Sequence, residues 1–518
     1  MIRLPRTYRW LMAVWILAAP GLSSADLIEL TVVERPELYD DLERASARAN
    51  QAVFDALDPI CGERLSCDVP SSLGAEDRAS VQSIYEEARE LVDTADDILS
   101  PGSGAFGLGL DDEGLGNALR WTAAEEVQAQ ARAATDFSNG QTATARNRIT
   151  ALRYGARGFS IAGLEGLPTH DFPNLPQAAS LGAAGDAEAP SLTKLGGFLN
   201  GSYGWGTNDP TTFEDAFDYE SVDVTVGVDY RIRPDTVVGL IAGYAENTVD
   251  FDGSKSIVDG GIDSDGFSLG AFGVYTMRDF YVSGFFSYQR MEFDMDRFIT
   301  YPSLNPDVPG TNTRTKGDTD SDAFSTALNL GYTLRFGLGD ALGTFSTGKP
   351  FLFEPSLRLE YTHITINDFT ETNVDPDEYF ALRIQEQDIE SLELALGGRL
   401  SIAVSTPVGV FFPYFRVEWR FELDQDDRTA SSEYSATALL RAAGGPEVSI
   451  PFLLSSEKID SDYGTLTVGL QTIVRGGRSR LLGGPTGDRL SLFAEYRRIV
   501  DLENIESQIL NAGIRYLF

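Results

Sequence analysis

Between Glu220 and Ile232 every second residue is apolar. Val222, Val224, Val226, Val228, Tyr230 and Ile232 fall on one face; Ser221, Asp223, Thr225, Gly227, Asp229 and Arg231 fall on the other. A β-strand sends successive side chains to opposite faces, so this spacing predicts a strand with one hydrocarbon face and one small or charged face. The pattern recurs in "FFPYFRVEWRFELD", where Phe415, Val417, Trp419 and Phe421 alternate with Tyr414, Arg416, Glu418, Arg420 and Glu422. It recurs again in "SLFAEYRRIV", where Glu495 and Arg497 share a face. A soluble sandwich also alternates, with its apolar faces turned inward. Three features favour lipid here: the strands are long, they return at regular intervals, and their polar face carries opposite charges suited to a hydrated lumen. Bilayer-spanning strands need ~9–11 residues and must close into a barrel, because hydrocarbon cannot satisfy an open sheet edge.

About twelve strands can be placed in residues 191–518, at 192–205, 219–232, 236–249, 264–277, 280–294, 322–336, 350–366, 388–404, 409–422, 461–476, 488–500 and 505–518. Their connections alternate. Pro234–Asp235 and Met277–Asp279 are tight, whereas 206–218, 250–263, 295–321 and 423–460 are long and polar. The expected fold is a transmembrane antiparallel β-barrel with short turns on the periplasmic side and long loops outside.

The first half reads differently. Residues 1–25 combine Arg3, Arg6 and Arg9 with the apolar run "WLMAVWILAA" and the small residues of "LSSA", the pattern of a secretory signal peptide ending near Ala25. In an exported chain, the close pair Cys61 and Cys67 is expected to form a disulfide. Helical spacing follows in two stretches. Leu38, Leu42, Ala45, Ala49 and Val53 form one apolar face, with Pro36 in the first turn. Val81, Ile84, Ala88, Leu91, Ala95 and Ile98 form the other. After a Gly-rich break, Thr122 and Glu125 read as a capping box, with helix to about Ala134 and again from Gln141 to Tyr154. Residues 166–191, rich in Pro, Ala and Gly, read as a linker.

Chemistry is hard to find. A net charge of −37 argues against nucleic-acid partners, which require Lys and Arg at phosphates. The two histidines, His170 and His363, lie far apart in sequence, and no metal site or cofactor is expected. "GFSIAG" misses the nucleophile-elbow spacing around Ser160 by one residue. Asp111, Asp112 and Glu113 lack the alternating oxygen ligands of a calcium loop and read as a solvated turn. No enzyme activity is expected.

The chain ends "NAGIRYLF". Leu510, Ala512, Ile514, Tyr516 and Phe518 share the lipid face, and Asn511, Gly513 and Arg515 the lumen face. The set Asn511, Gly513, Tyr516 and Phe518 resembles the C-terminal signal by which the barrel assembly machinery recognises outer-membrane barrels. Residues 190–518 resemble the β-domain of autotransporters, on "PSLRLEYTHITINDFTE", "ALRIQEQDIESLELALGGRLS" and "YFRVEWRFELD", although Phe421 stands where the family often has His. "ARNRITALRYGARG" resembles the segment that in this family threads the pore as a helix. The resemblance implies a division into a signal peptide (1–25), a mainly helical passenger (26–140), a pore helix with linker (141–190) and a barrel translocator (191–518). Arg146, Arg148, Arg153 and Arg157 would give the pore helix a positive face toward Asp223, Asp229, Glu418, Glu422 and Glu495. Asn147 is the one candidate for the cleavage that some members perform inside the pore, but the paired Asn of those members is absent. The implied function is display of the passenger on the surface of a Gram-negative bacterium. The implied partners are the Sec translocon, the barrel assembly machinery and outer-membrane lipid; the passenger's ligand stays open. The alternative is a porin-like channel whose helical N-terminus is periplasmic or plugs the pore.

Overall fold

The computed structural model describes residues 26–517 apart from 63–66, 154–194, 252, 256, 338–349, 376–377, 407–408, 425–428, 447–451, 456–460, 475–477, 480–483 and 486–489. The signal segment, the linker, Arg157, Ser160, His170 and Phe518 lie outside the described residues. Twelve strands cross the barrel: β1 Leu195–Asn208, β2 Phe217–Arg233, β3 Thr236–Phe251, β4 Gly260–Met277, β5 Phe280–Tyr301, β6 Thr311–Tyr332, β7 Pro350–Ile366, β8 Gln387–Ile402, β9 Gly409–Glu422, β10 Asp462–Val474, β11 Leu490–Val500 and β12 Ile505–Leu517. Each pairs antiparallel with its neighbours in sequence, and β12 pairs with β1 to close the ring.

The alternation is turned inside out relative to a soluble core. On β2, Val222 and Val226 are 48% and 49% exposed, whereas Thr225 and Asp229 are 1% and 3% exposed. Leu240, Leu269, Phe286, Leu396 and Val468 continue the outward band on other strands. Hydrocarbon covering the outside of a closed barrel is stable only against lipid. At the chain end, Leu510 and Ile514 point out while Asn511 and Arg515 are buried.

Three expectations need correction. First, 295–321 is not a loop: β5 and β6 continue through most of it, each 22 residues long. Met291, Phe293, Met295, Ile299 and Tyr301 are buried against a helical layer, so their alternation serves a protein core beyond the lipid band. Second, the 423–460 connection is structured. It holds a strand Thr429–Tyr434, a helix Ser435–Ala442 and a strand Phe452–Ser455, and joins Leu382–Ile384 and Phe369–Thr370 in a four-stranded sheet. Third, the helix boundaries shift.

α1 spans Asp41–Cys61, not from Pro36, and Leu38 is 55% exposed. Its start is set by Asp40, which accepts from the Glu43 amide at 2.9 Å while the Glu43 carboxylate accepts from the Asp40 amide at 2.9 Å. Cys61 and Cys67 are disulfide-linked at the turn into α2 (Ala75–Leu99). Val81, Ile84, Ala88, Leu91 and Ala95 of α2 are fully buried. α3 is Asp112–Ala123, with Asp111 as its N-cap. Thr122 therefore caps nothing: it sits in the last turn of α3, where its hydroxyl donates to the Leu119 carbonyl at 3.0 Å. The chain reverses at Ala124, in the left-handed region at φ 61°. α4 then runs unbroken over Val127–Arg153, across the gap expected near 134–141. At ~1.5 Å per residue a helix of this length reaches about 40 Å, enough to cross a bilayer.

Candidate functional site

α4 occupies the barrel lumen, entering from the long-loop end and finishing at the short-turn end. Near its start, the Arg132 guanidinium lies 5.4 Å from the Tyr219 ring centroid, close to the β1–β2 loop. Near its end, Arg153 stacks 3.3 Å from the Tyr281 ring centroid, beside the tight β4–β5 turn. The lower half of the helix is fixed by charge. Arg146 Nη1 donates to both oxygens of Glu418 at 2.8 and 2.6 Å. Arg148 pairs with Asp229, which Arg515 also approaches at 3.4 Å. Arg153 reaches Glu354 at 2.5 Å and Thr333 Oγ1 at 3.0 Å. Asn147 Nδ2 donates to Glu495 at 2.6 Å, and the Tyr414 hydroxyl holds the other Glu495 oxygen at 2.6 Å.

These contacts do not form one positive face. Residues two apart on a helix point to nearly opposite sides, so Arg146 meets β9 while Arg148 meets β2. Arg153, seven residues after Arg146, returns to the Arg146 side and meets β7. The helix is thus pinned against opposing walls. Asp223 instead accepts from Ser202 at 2.9 Å, and Glu422 from Ser391 at 2.7 Å. Nothing in the local spacing of Glu354 distinguishes it in the sequence from other inward carboxylates. Around the helix, Arg420 pairs with Glu393 at 3.1 Å, Arg497 with Glu495 at 3.4 Å and Arg399 with Glu354 at 3.7 Å. Buried ions are tolerated only when paired in this way.

Two residues of the C-terminal set have structural work in β12. Asn511 stands 3.4 Å from Glu495 in the lumen. A Cβ at Gly513 would come within 2.3 Å of the Phe493 ring, so only glycine leaves that ring its place. Tyr516 pairs by backbone with Gly197 and Leu490.

At the long-loop end, α1–α3 sit over the mouth. One buried cluster joins Leu57, Ile84, Leu91 and Leu119 of the helices to Phe251, Phe293, Ile299, Phe380 and Tyr434 of the outer strands and loops. Polar contacts cross the same seam. Arg120 pairs with Asp215 at 2.7 Å, the Leu304 amide donates to the Leu108 carbonyl at 2.7 Å, and the Tyr434 hydroxyl donates to Asn50 at 2.9 Å. Glu87 of α2 accepts from the Tyr301 hydroxyl at 2.9 Å and the Thr311 hydroxyl at 3.1 Å.

Burial pushes the Glu87 carboxyl up to about 7 and that of Glu90 up to about 9, and Glu86 and Glu378 add repulsion. Unfolded carboxylates of this type ionise near 4.5. Both folded values are raised, so their contribution to docking is full below about 4.5 and is lost as pH rises through about 7 and then about 9. Proteolysis of α1–α3 on the refolded protein is therefore expected to be slower at pH 5.5 than at pH 9.5. Glu87→Gln should flatten part of that difference; a profile unchanged by this substitution would exclude Glu87.

An autotransporter beta-domain family model matches residues 197–484, more than half of the chain. Among solved structures, the translocator domain of the autotransporter NalP from Neisseria meningitidis is similar at 15% identity and a TM-score of 0.42, covering 64% of this chain and 90% of that one. The transport unit of the autotransporter AIDA-I from Escherichia coli is similar at 13% identity and a TM-score of 0.38, covering 65% and 92%. No curated protein matches the chain.

Proposed function

The chain belongs to the autotransporter family through its β-domain, and from that premise we propose that its N-terminal helices are exported through the barrel and kept as a folded cap over the mouth. The barrel resides in the Gram-negative outer membrane and serves export; an autotransporter β-domain is a transport barrel rather than a catalytic fold. In this reading residues 1–25 are the leader read by the Sec translocon, 26–123 the cap, and 127–153 the pore helix. The linker then leads to β1. The barrel assembly machinery engages β12 through Asn511, Gly513, Tyr516 and Phe518. Asp40, Glu43, Asp111 and Asp112 serve in helix caps or pair with Arg35, which supports a structural role for the cap.

The observation that carries the reading is the shared core between α1–α3 and the outer loops. A passenger destined for release has no use for an apolar seam with its own translocator. Retention also agrees with the position of Asn147, which is held by Glu495. The test uses intact cells carrying an epitope after Asp26 and a range of external protease. The tag is expected to be lost at high protease and to persist, cell-bound, at low protease. A tag protected until the outer membrane is opened would instead place the helices in the periplasm, as in a porin-like channel. A tag found free in the medium would mean release.

A further inference from the structure

The upper half of the lumen is not filled by α4. Between the helix and the β7–β9 wall lies a cavity of about 260 Å³. Its wall carries a row of carboxylates: Glu360 on β7 faces Glu393 on β8, which faces Glu422 on β9. All three point inward and are 3%, 6% and 6% exposed. Like charges directly opposite on neighbouring strands destabilise a sheet unless compensated. Glu393 is compensated by Arg420 at 3.1 Å. Glu360 forms an ion pair with Arg358 at 3.3 Å, but neither of its oxygens accepts a hydrogen bond among the described residues. Among the described lining residues Arg132 is the one cation, and it is engaged by Asp136 at 3.0 Å. Ile364 and Ile389 supply an apolar wall beside the carboxylates.

A buried carboxylate whose oxygens accept no hydrogen bond among the described residues, set in a roomy acidic cavity with a hydrocarbon wall, has capacity left for an ammonium donor with an apolar tail. We propose that this cavity binds an alkylammonium ion, its –NH₃⁺ head donating to Glu360 beside Glu393 and its chain lying along Ile364 and Ile389. The site goes beyond export and retention of the cap and does not depend on them. The test is isothermal titration calorimetry of the full chain, refolded in non-ionic detergent, with hexylammonium chloride at fixed ionic strength. One saturable site is expected, absent with hexan-1-ol and weakened about tenfold or more by Glu360→Gln, as the loss of a charge-assisted hydrogen bond requires. No saturable heat would mean a merely hydrated cavity and overturn the proposal. So would equal binding of the alcohol, displacement by an equal concentration of MgCl₂, or unchanged affinity in a folded Glu360→Gln protein. If that variant does not fold, the contrast between amine and alcohol on the unaltered chain decides.

Discussion

Arg297→Met is expected to free the helical cap while leaving the barrel folded. Arg297 sits on the extension of β5 beyond the lipid band, and its side chain is 1% exposed. It forms a two-pronged pair with Glu371, Nε to Oε1 at 3.1 Å and Nη2 to Oε2 at 2.7 Å. It also donates to the Phe380 carbonyl at 3.0 Å and to the carbonyl of Trp121, on α3, at 3.5 Å. One guanidinium thus ties an outer strand, an outer loop and the cap. Methionine keeps most of the volume but leaves Glu371 buried and unpaired, a loss of about 3–5 kcal/mol. Glu126, which burial pushes up to about 8 and which the Arg297 charge holds down, loses that cation as well. Cleavage of the cap tracks its opening equilibrium, so digestion should speed up by roughly 10² to 10³-fold. The gel mobility of the unheated, folded barrel should not change. Unaltered digestion of the cap, or an equal loss of barrel stability, would show that Arg297 does not act at the seam.

The second large effect lies in the pore. Arg148→Glu with Arg153→Glu turns two attractions into repulsions, against Asp229 and against Glu354. Each breaks a buried pair and sets two carboxylates together, so α4 should leave its seat. The thermal midpoint of the folded protein is expected to fall by about 10 °C or more. In planar bilayers the variant is expected to conduct more than the parent. Asp229→Arg added to Arg148→Glu restores an opposite-charge pair at that position, although Arg515 stands nearby and caps the recovery. An unchanged midpoint and an unchanged conductance would remove the charge pins from the account of how the lumen is filled.

These two sites differ in how far the sequence reveals them. Arg148 and Arg153 stand out as cations in a segment that resembles a pore helix, and Asp229 is visibly on the lumen face of its strand. Their partnership is not visible, because Arg148 and Asp229 are 81 residues apart and Arg153 and Glu354 are 201 apart. Arg297 falls within 295–321, a stretch whose composition predicts a long polar loop. Met295 and Ile299 alternate as strand residues do, but beyond the lipid band they face the cap instead of lipid.

The sequence by itself determined the strand period, the outward apolar face, the number of crossings, the phase of β12 and the packing face of α2. All are local: a period of two or of 3.6 is set by backbone geometry within a few residues. Only the tertiary structure decided which carboxylate meets which arginine, because that depends on how the helix is rotated inside the closed barrel. It also decided that α4 is continuous through Gly140, whose surroundings in the lumen support a helix that local propensity would break. Finally, it decided that the helices sit on the outer loops as one body with them. That follows from long strands whose upper residues have no lipid to cover them and bury themselves against the cap instead.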